Sequence, residues 1–190
     1  MFRRRPVRRI LRRATPIGEA GRIALRKANQ LNEAGEYVQA AEIFERVAQR
    51  MENRLRPNRA AFLFLQAGHS RLLAGQVDPS MQLAKRSLNI LAQNQHYGAC
   101  IQGANMMIQE FNRLGHPNQA AEIQTWLQQT VSNQAGQLSI TRGNPPSRES
   151  THRLPAKCPH CGATLRSDMA EWIDDLSAEC PYCGSTVQVE

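Results

Sequence analysis

Four of the five cysteines fall in two matched pairs, Cys158-Pro159-His160-Cys161-Gly162 and Cys180-Pro181-Tyr182-Cys183-Gly184. The pattern reads C-x2-C-x18-C-x2-C, a spacing that brings four thiolates to one metal ion. Two residues between cysteines make a turn that aims both sulfurs at one point. A glycine after the second cysteine supplies the positive φ that such a turn requires. Two turns of this kind complete a tetrahedral sulfur shell with Zn–S bonds of about 2.3 Å. The expected cofactor is therefore one structural Zn2+ held by Cys158, Cys161, Cys180 and Cys183. A full S4 shell leaves no position for a substrate. The chain also carries no phosphate loop, nucleophile elbow or histidine–carboxylate metal motif. The residues point away from an enzyme.

These cysteines need short elements to carry them. Residues 158–190 are too few to bury an adequate core alone, so metal binding must contribute to their folding. Val187-Gln188-Val189 suits a terminal strand and Ala163-Thr164-Leu165-Arg166 another, with Trp172 and Tyr182 as small-core aromatics. Met169, Trp172, Ile173 and Leu176 fit a helical turn between the pairs equally well. The segment resembles the zinc-ribbon family, which implies two metal knuckles on short strands. The CPxCG turns also resemble those of rubredoxin, an iron protein. The interval between pairs is short for that family, and its aromatic after the first knuckle is missing. Iron and zinc both remain open on sequence. Disulfides would require an oxidising compartment, and no export signal supports one, so a cytoplasmic location is expected. Cys100 reads as a small core residue and His160 as exposed. His69, His96, His116 and His152 show no ligand spacing.

Ahead of the cysteines the chain reads as helices over 17–133. Aromatics make up only 5% of the residues, which disfavours a large sheet. Gly35, Gly75 and Gly115 recur at a spacing of 40, and Gln39-Ala40-Ala41-Glu42-Ile43 reappears as Gln119-Ala120-Ala121-Glu122-Ile123. An identity in phase with the glycines marks an internal repeat. Each unit reads as helix, tight turn, helix. Ala20, Ile23, Ala24, Ala28 and Leu31 form an apolar stripe before Gly35, and Tyr37, Ala40, Ala41, Phe44, Val47, Ala48 and Met51 form one after it. Pro57 closes the first unit, and Asp78 reads as an N-cap with Pro79 at the first helical position. Gly35-Glu36-Tyr37, Ala40 and Phe44, echoed by Gly115 and Ala120, resemble the tetratricopeptide repeat family. The period of 40 exceeds that family's usual length of about 34, and the early tryptophan and regular closing proline are absent. The fold class expected is mainly α, an array of αα-hairpins (tetratricopeptide-like) followed by a small zinc-ribbon β domain. The domain plan is a basic amphipathic tail over 1–16, hairpin repeats over 17–133, a flexible linker over 134–157 and the ribbon over 158–190.

Stacked hairpins would align the first helices of each pair along one face. Arg22, Leu25, Asn29 and Asn32 then meet Phe62, Leu65, His69 and Leu72, and next Gln102, Asn105, Gln109 and Asn112. Amides donate and accept, so Asn29, Asn32, His69, Gln102, Asn105, Gln109 and Asn112 are candidates for holding a protein partner through its backbone. The bland alternative is that the apolar members are core and the amides merely solvated.

The net charge of +8 is uneven. Residues 1–13 carry Arg3, Arg4, Arg5, Arg8, Arg9, Arg12 and Arg13 with no acid, and supply +7 of it. Val7, Ile10, Leu11 and Ala14 fall on one face of a helix, with Arg8, Arg9, Arg12 and Arg13 opposite. Such a tail suits an anionic membrane surface, a phosphate backbone or an acidic protein. Among residues 158–190, Arg166 is the one formal positive charge against Asp168, Glu171, Asp174, Asp175, Glu179 and Glu190, which disfavours nucleic acid as the ribbon's partner. No apolar run is long enough for a transmembrane helix. The function expected is a non-enzymatic adaptor with a structural zinc. The alternatives are a nucleic-acid-associated regulatory factor using the arginine tail with Arg46, Arg50, Arg54, Arg56 and Arg59, or an adaptor attached to a membrane surface. The sequence sets no oligomeric state.

Overall fold

The computed structural model of the chain describes residues 17–54, 56–132, 154–167 and 170–189. Six helices follow one another: α1 (Glu19–Glu33), α2 (Tyr37–Asn53), α3 (Pro57–Leu73), α4 (Val77–Gln93), α5 (Tyr97–Arg113) and α6 (Pro117–Ser132). Three short strands come after them, β1 (Glu171–Asp174), β2 (Ser177–Glu179) and β3 (Thr186–Gln188). Each helix packs on the next, and α3 also touches α5 while α4 touches α6. The result is sequential hairpins stacked side by side, followed by a small antiparallel sheet of order β1-β2-β3.

The helices are cut to length by one recurring turn. The N–H of Glu36 bonds the carbonyl of Leu31, Arg56 that of Met51, Gln76 that of Arg71, His96 that of Leu91, and His116 that of Phe111. Each is the wide bond of a helix C-terminus, and in four of the five the described residue just before the donor is left-handed. Gly35, Gly75 and Gly115 take that conformation at φ 81°, 75° and 81°. Gln95 takes it as well, at φ 62°. The repeat of 40 seen in the glycines is thus two copies of a helix-plus-turn unit of half that length.

Small residues let the helices approach. A methyl group added at Gly103 would lie 2.9 Å from Leu65 Cδ2, and one at Gly68 would lie 3.3 Å from the Ser80 carbonyl. The core runs through Phe44, Leu63, Phe64, Leu72, Leu88, Leu91, Met107, Phe111 and Ile123, all buried. Helix α3 is buried on nearly every side. Cys100 sits in this core, its thiol donating to the Leu88 carbonyl at 3.6 Å, and burial pushes it up to about 11.

Several local expectations are corrected. Pro57 opens α3 rather than closing α2. Helix α4 starts after Gln76, so Asp78 and Pro79 lie inside its first turn and neither caps it. On α1 the buried positions are Leu25 and Ala28, whereas Ile23 is exposed. The stretch between the cysteine pairs is the β1–β2 hairpin, not a helical turn, because backbone pairing with Ser177, Ala178 and Glu179 satisfies it. Trp172 is exposed rather than core. Residues 163–166 contribute one isolated bridge, Lys157 to Thr164, in place of a strand. Residues 1–16 and 133–153, with the tail arginines and most of the expected linker, lie outside the described residues.

Candidate metal centre

Both cysteine pairs sit on the same local structure. In the first, the N–H of Gly162 bonds the Cys158 carbonyl at 2.8 Å, and Cys158 N–H bonds the Ala163 carbonyl at 2.8 Å. In the second, Gly184 bonds Cys180 at 2.8 Å, and Cys180 bonds Ser185 at 3.0 Å. Gly162 and Gly184 hold φ of 78° and 71°, the left-handed geometry that a side chain resists. The first knuckle begins ahead of Cys158, since the Ala156 carbonyl accepts from Leu165 N–H.

The turns bring the four sulfurs together. Cys158 Sγ lies 3.8 Å from Cys183 Sγ, and Cys161 Sγ lies 3.8 Å from Cys180 Sγ. All four atoms lie within 4.8 Å of one another, and all four residues are buried. A regular tetrahedron built on bonds of about 2.3 Å has edges of about 3.8 Å, so the sulfurs already stand at ligand separation. A disulfide is excluded at these distances, because it needs about 2.05 Å. Hydrogen bonds from neighbouring thiols push Cys158 and Cys183 down, whereas Cys161 and Cys180 are held up as the partners that keep their protons. Four buried sulfurs cannot all ionise alone, whereas a divalent ion neutralises them together. The four cysteines are positioned to hold one metal ion.

The cluster does not stand apart from the helices. Asn29 Nδ2 on α1 donates to the Cys161 carbonyl at 2.9 Å, and Arg26 donates to the His160 carbonyl at 3.1 Å. Ile17 N–H, just before α1, bonds the Cys183 carbonyl at 2.8 Å. From α3, Gln66 Nε2 donates to the Tyr182 hydroxyl at 3.1 Å, and Phe62 meets the Tyr182 ring edge-on with centroids 6.1 Å apart. Burial pushes the Tyr182 phenol up to about 12, so it stays protonated. Arg59 pairs with Glu179, and its guanidinium fills the space where a side chain at Gly184 would go. Lys157 pairs with Glu33 at the rim. The ribbon therefore rests on α1 and α3, gripped at the backbone of both knuckles.

This placement divides the amide set expected from sequence. Asn29 is spent on the Cys161 carbonyl, and Asn32 Oδ1 accepts from Ser70 Oγ at 2.8 Å, tying α1 to α3. His69 lies 3.7 Å from Glu110; burial outweighs that carboxylate and lowers its pKa. Gln102 is half-buried with its Oε1 unpartnered, and Asn105, Gln109 and Asn112 are exposed on α5. The arginine series is divided too. Arg46, Arg50 and Arg54 are exposed, but Arg59 is buried, held by the ribbon rather than open to a phosphate. Sequence reasoning missed Arg26, Arg59, Gln66 and Ile17 as ribbon contacts. The one available signal was Arg59, a charge at the head of the apolar run Ala60–Leu65.

Comparison of the chain with protein-family models, with curated proteins and with solved structures gives no match.

Proposed function

We propose that this protein is a non-enzymatic adaptor in which one structural Zn2+ fixes a small ribbon onto a helical-hairpin array. The observation that carries the reading is the grip on both knuckles: the carbonyls of Cys161 and Cys183 accept from Asn29 and Ile17. An ion held by Cys158, Cys161, Cys180 and Cys183 sets the knuckle turns, and the turns present those carbonyls. S4 ligation supplies folding energy and leaves no vacancy for a substrate, which supports a structural over a catalytic role. With α1 and α3 covered by the ribbon, the partner surface is the open amide row Asn105, Gln109 and Asn112 on α5, one helix turn apart and exposed. Amides spaced this way suit the backbone of an extended peptide.

The test is affinity capture by the intact chain beside an Asn105→Ala, Gln109→Ala, Asn112→Ala variant. All three positions are exposed, so the variant should fold and bind metal as the parent does. A set of proteins retained by the parent and lost by the variant supports the reading. Identical sets contradict it.

A further inference from the structure

Each cysteine knuckle meets the helical side through an arginine and an N–H donor. At the first, Arg26 donates to the His160 carbonyl at 3.1 Å and Asn29 Nδ2 to the Cys161 carbonyl at 2.9 Å. At the second, Ile17 N–H bonds the Cys183 carbonyl at 2.8 Å, and the Arg59 guanidinium lies against Gly184. The knuckle glycines mark the contact. A methyl group at Gly162 would lie 3.6 Å from Asn29 Cβ and 4.0 Å from Arg26 Cγ, and one at Gly184 would fall within the Arg59 guanidinium. The Arg59 side chain is 9% exposed, against 21% for its partner Glu179. Glu179 therefore shares its charge with water, whereas Arg59 keeps its own inside the contact.

A filled sulfur shell calls for such charges. Four thiolates around one divalent ion sum to a net charge of about −2. Burying that charge is unfavourable unless cations and N–H groups face it. All four cysteines are buried, so a chelator reaches the sulfurs when the ribbon lifts from α1 and α3 or its knuckles open. We propose that Arg26 and Arg59 are positioning residues of the metal centre: from the helices they offset the negative charge of the filled shell, seat the ribbon and so set how slowly the ion escapes. This role rests on the zinc-held ribbon proposed above. If the ion favours the seat, the seat favours the ion by the same factor. Arg59 carries the larger share, because its charge is buried, whereas Arg26 is exposed and screened by solvent. Removing a group that supports metal ligands from outside their shell weakens metal binding by about 10–100-fold.

The test loads the intact chain with Zn2+, adds excess EDTA and times release of the ion. The variants are Arg59→Gln, Arg26→Gln and Arg26→Lys, with Gln66→Ala as the loss of an uncharged contact, its bond to the Tyr182 hydroxyl. Charge-transfer absorption of Co2+-loaded samples reports sulfur coordination, and far-UV circular dichroism reports the helices; both should match the parent. Arg59→Gln should release Zn2+ about 10–100-fold faster. Arg26→Gln should be faster by less, and its difference should vanish in salt of about 1 M, where screening falls to about 3 Å. Arg26→Lys should restore the parent rate, and Gln66→Ala should release well below the rate of Arg59→Gln. If Arg59→Gln loses its helices, the Arg26 variants decide alone. Parent rates in the glutamine variants overturn the proposal. So does Arg26→Lys releasing as fast as Arg26→Gln, or Gln66→Ala as fast as Arg59→Gln, because the arginines would then act by shape and not by charge. Uptake of metal with unchanged release removes this inference alone. A chain that takes up neither Zn2+ nor Co2+ contradicts the four-cysteine site itself and the inference with it.

Discussion

Gln95 holds the same left-handed turn as three glycines, at φ 62°, and a side chain resists that conformation by about 1–2 kcal/mol. Gln95→Gly is expected to stabilise the chain by roughly 1 kcal/mol, seen as a higher urea midpoint. An unchanged or lower midpoint contradicts the strain argument. His69 gives a pH signature. Burial lowers its pKa in the fold below the ordinary 6.5, so the unfolded chain binds more protons there. Its contribution is fully present above pH 6.5 and is lost as pH falls from there through the lowered folded value. His69→Gln should lose less stability than the parent between neutral and mildly acid pH; parallel losses contradict this. The four cysteines were legible in sequence because ligation itself dictates their spacing. Arg26 and Gln66 were not, since their bonds reach across 134 and 116 positions to atoms that any residue or any tyrosine could offer.

At the scale of elements, the close approach of α3 and α5 rests on Gly103 beneath Leu65. Gly103→Ala gains helix propensity but must displace that side chain, and overpacking of this kind costs about 1–3 kcal/mol. A net loss of thermal stability is expected, and a gain contradicts the packing account. The ribbon's seat gives a second test. Removing the ion should free the knuckles, so the Ile17 amide bonded to Cys183 loses its protection from hydrogen exchange while α4 keeps its own. Undiminished protection at Ile17 after chelation would show that the seat does not depend on the metal. The hairpin array was readable because its turn residues repeat and its apolar positions recur at helical spacing. The strand identity of residues 171–174 was not, because Trp172, Ile173 and Leu176 fit either period. Cross-strand partners decided between them.

On the scale of the whole molecule, the strongly basic balance misleads. Seven of the eight net positive charges sit in residues 1–13, and the buried Arg59 is paired within the fold. Retention on heparin should therefore vanish when residues 1–13 are removed, and retention of the shortened chain would restore the nucleic-acid reading. What sequence could not show was that the helical face and the metal module meet. That contact is built from backbone carbonyls, one tyrosine and two ion pairs between residues far apart in the chain, which leave no local pattern of residue types. The account stands on a closed sulfur shell that organises this contact. X-ray absorption at the metal edge of the purified chain tests it directly. It predicts zinc with four sulfur neighbours at about 2.3 Å and no lighter scatterer in the first shell. A nitrogen or oxygen neighbour, or a chain purified without bound metal, would contradict it.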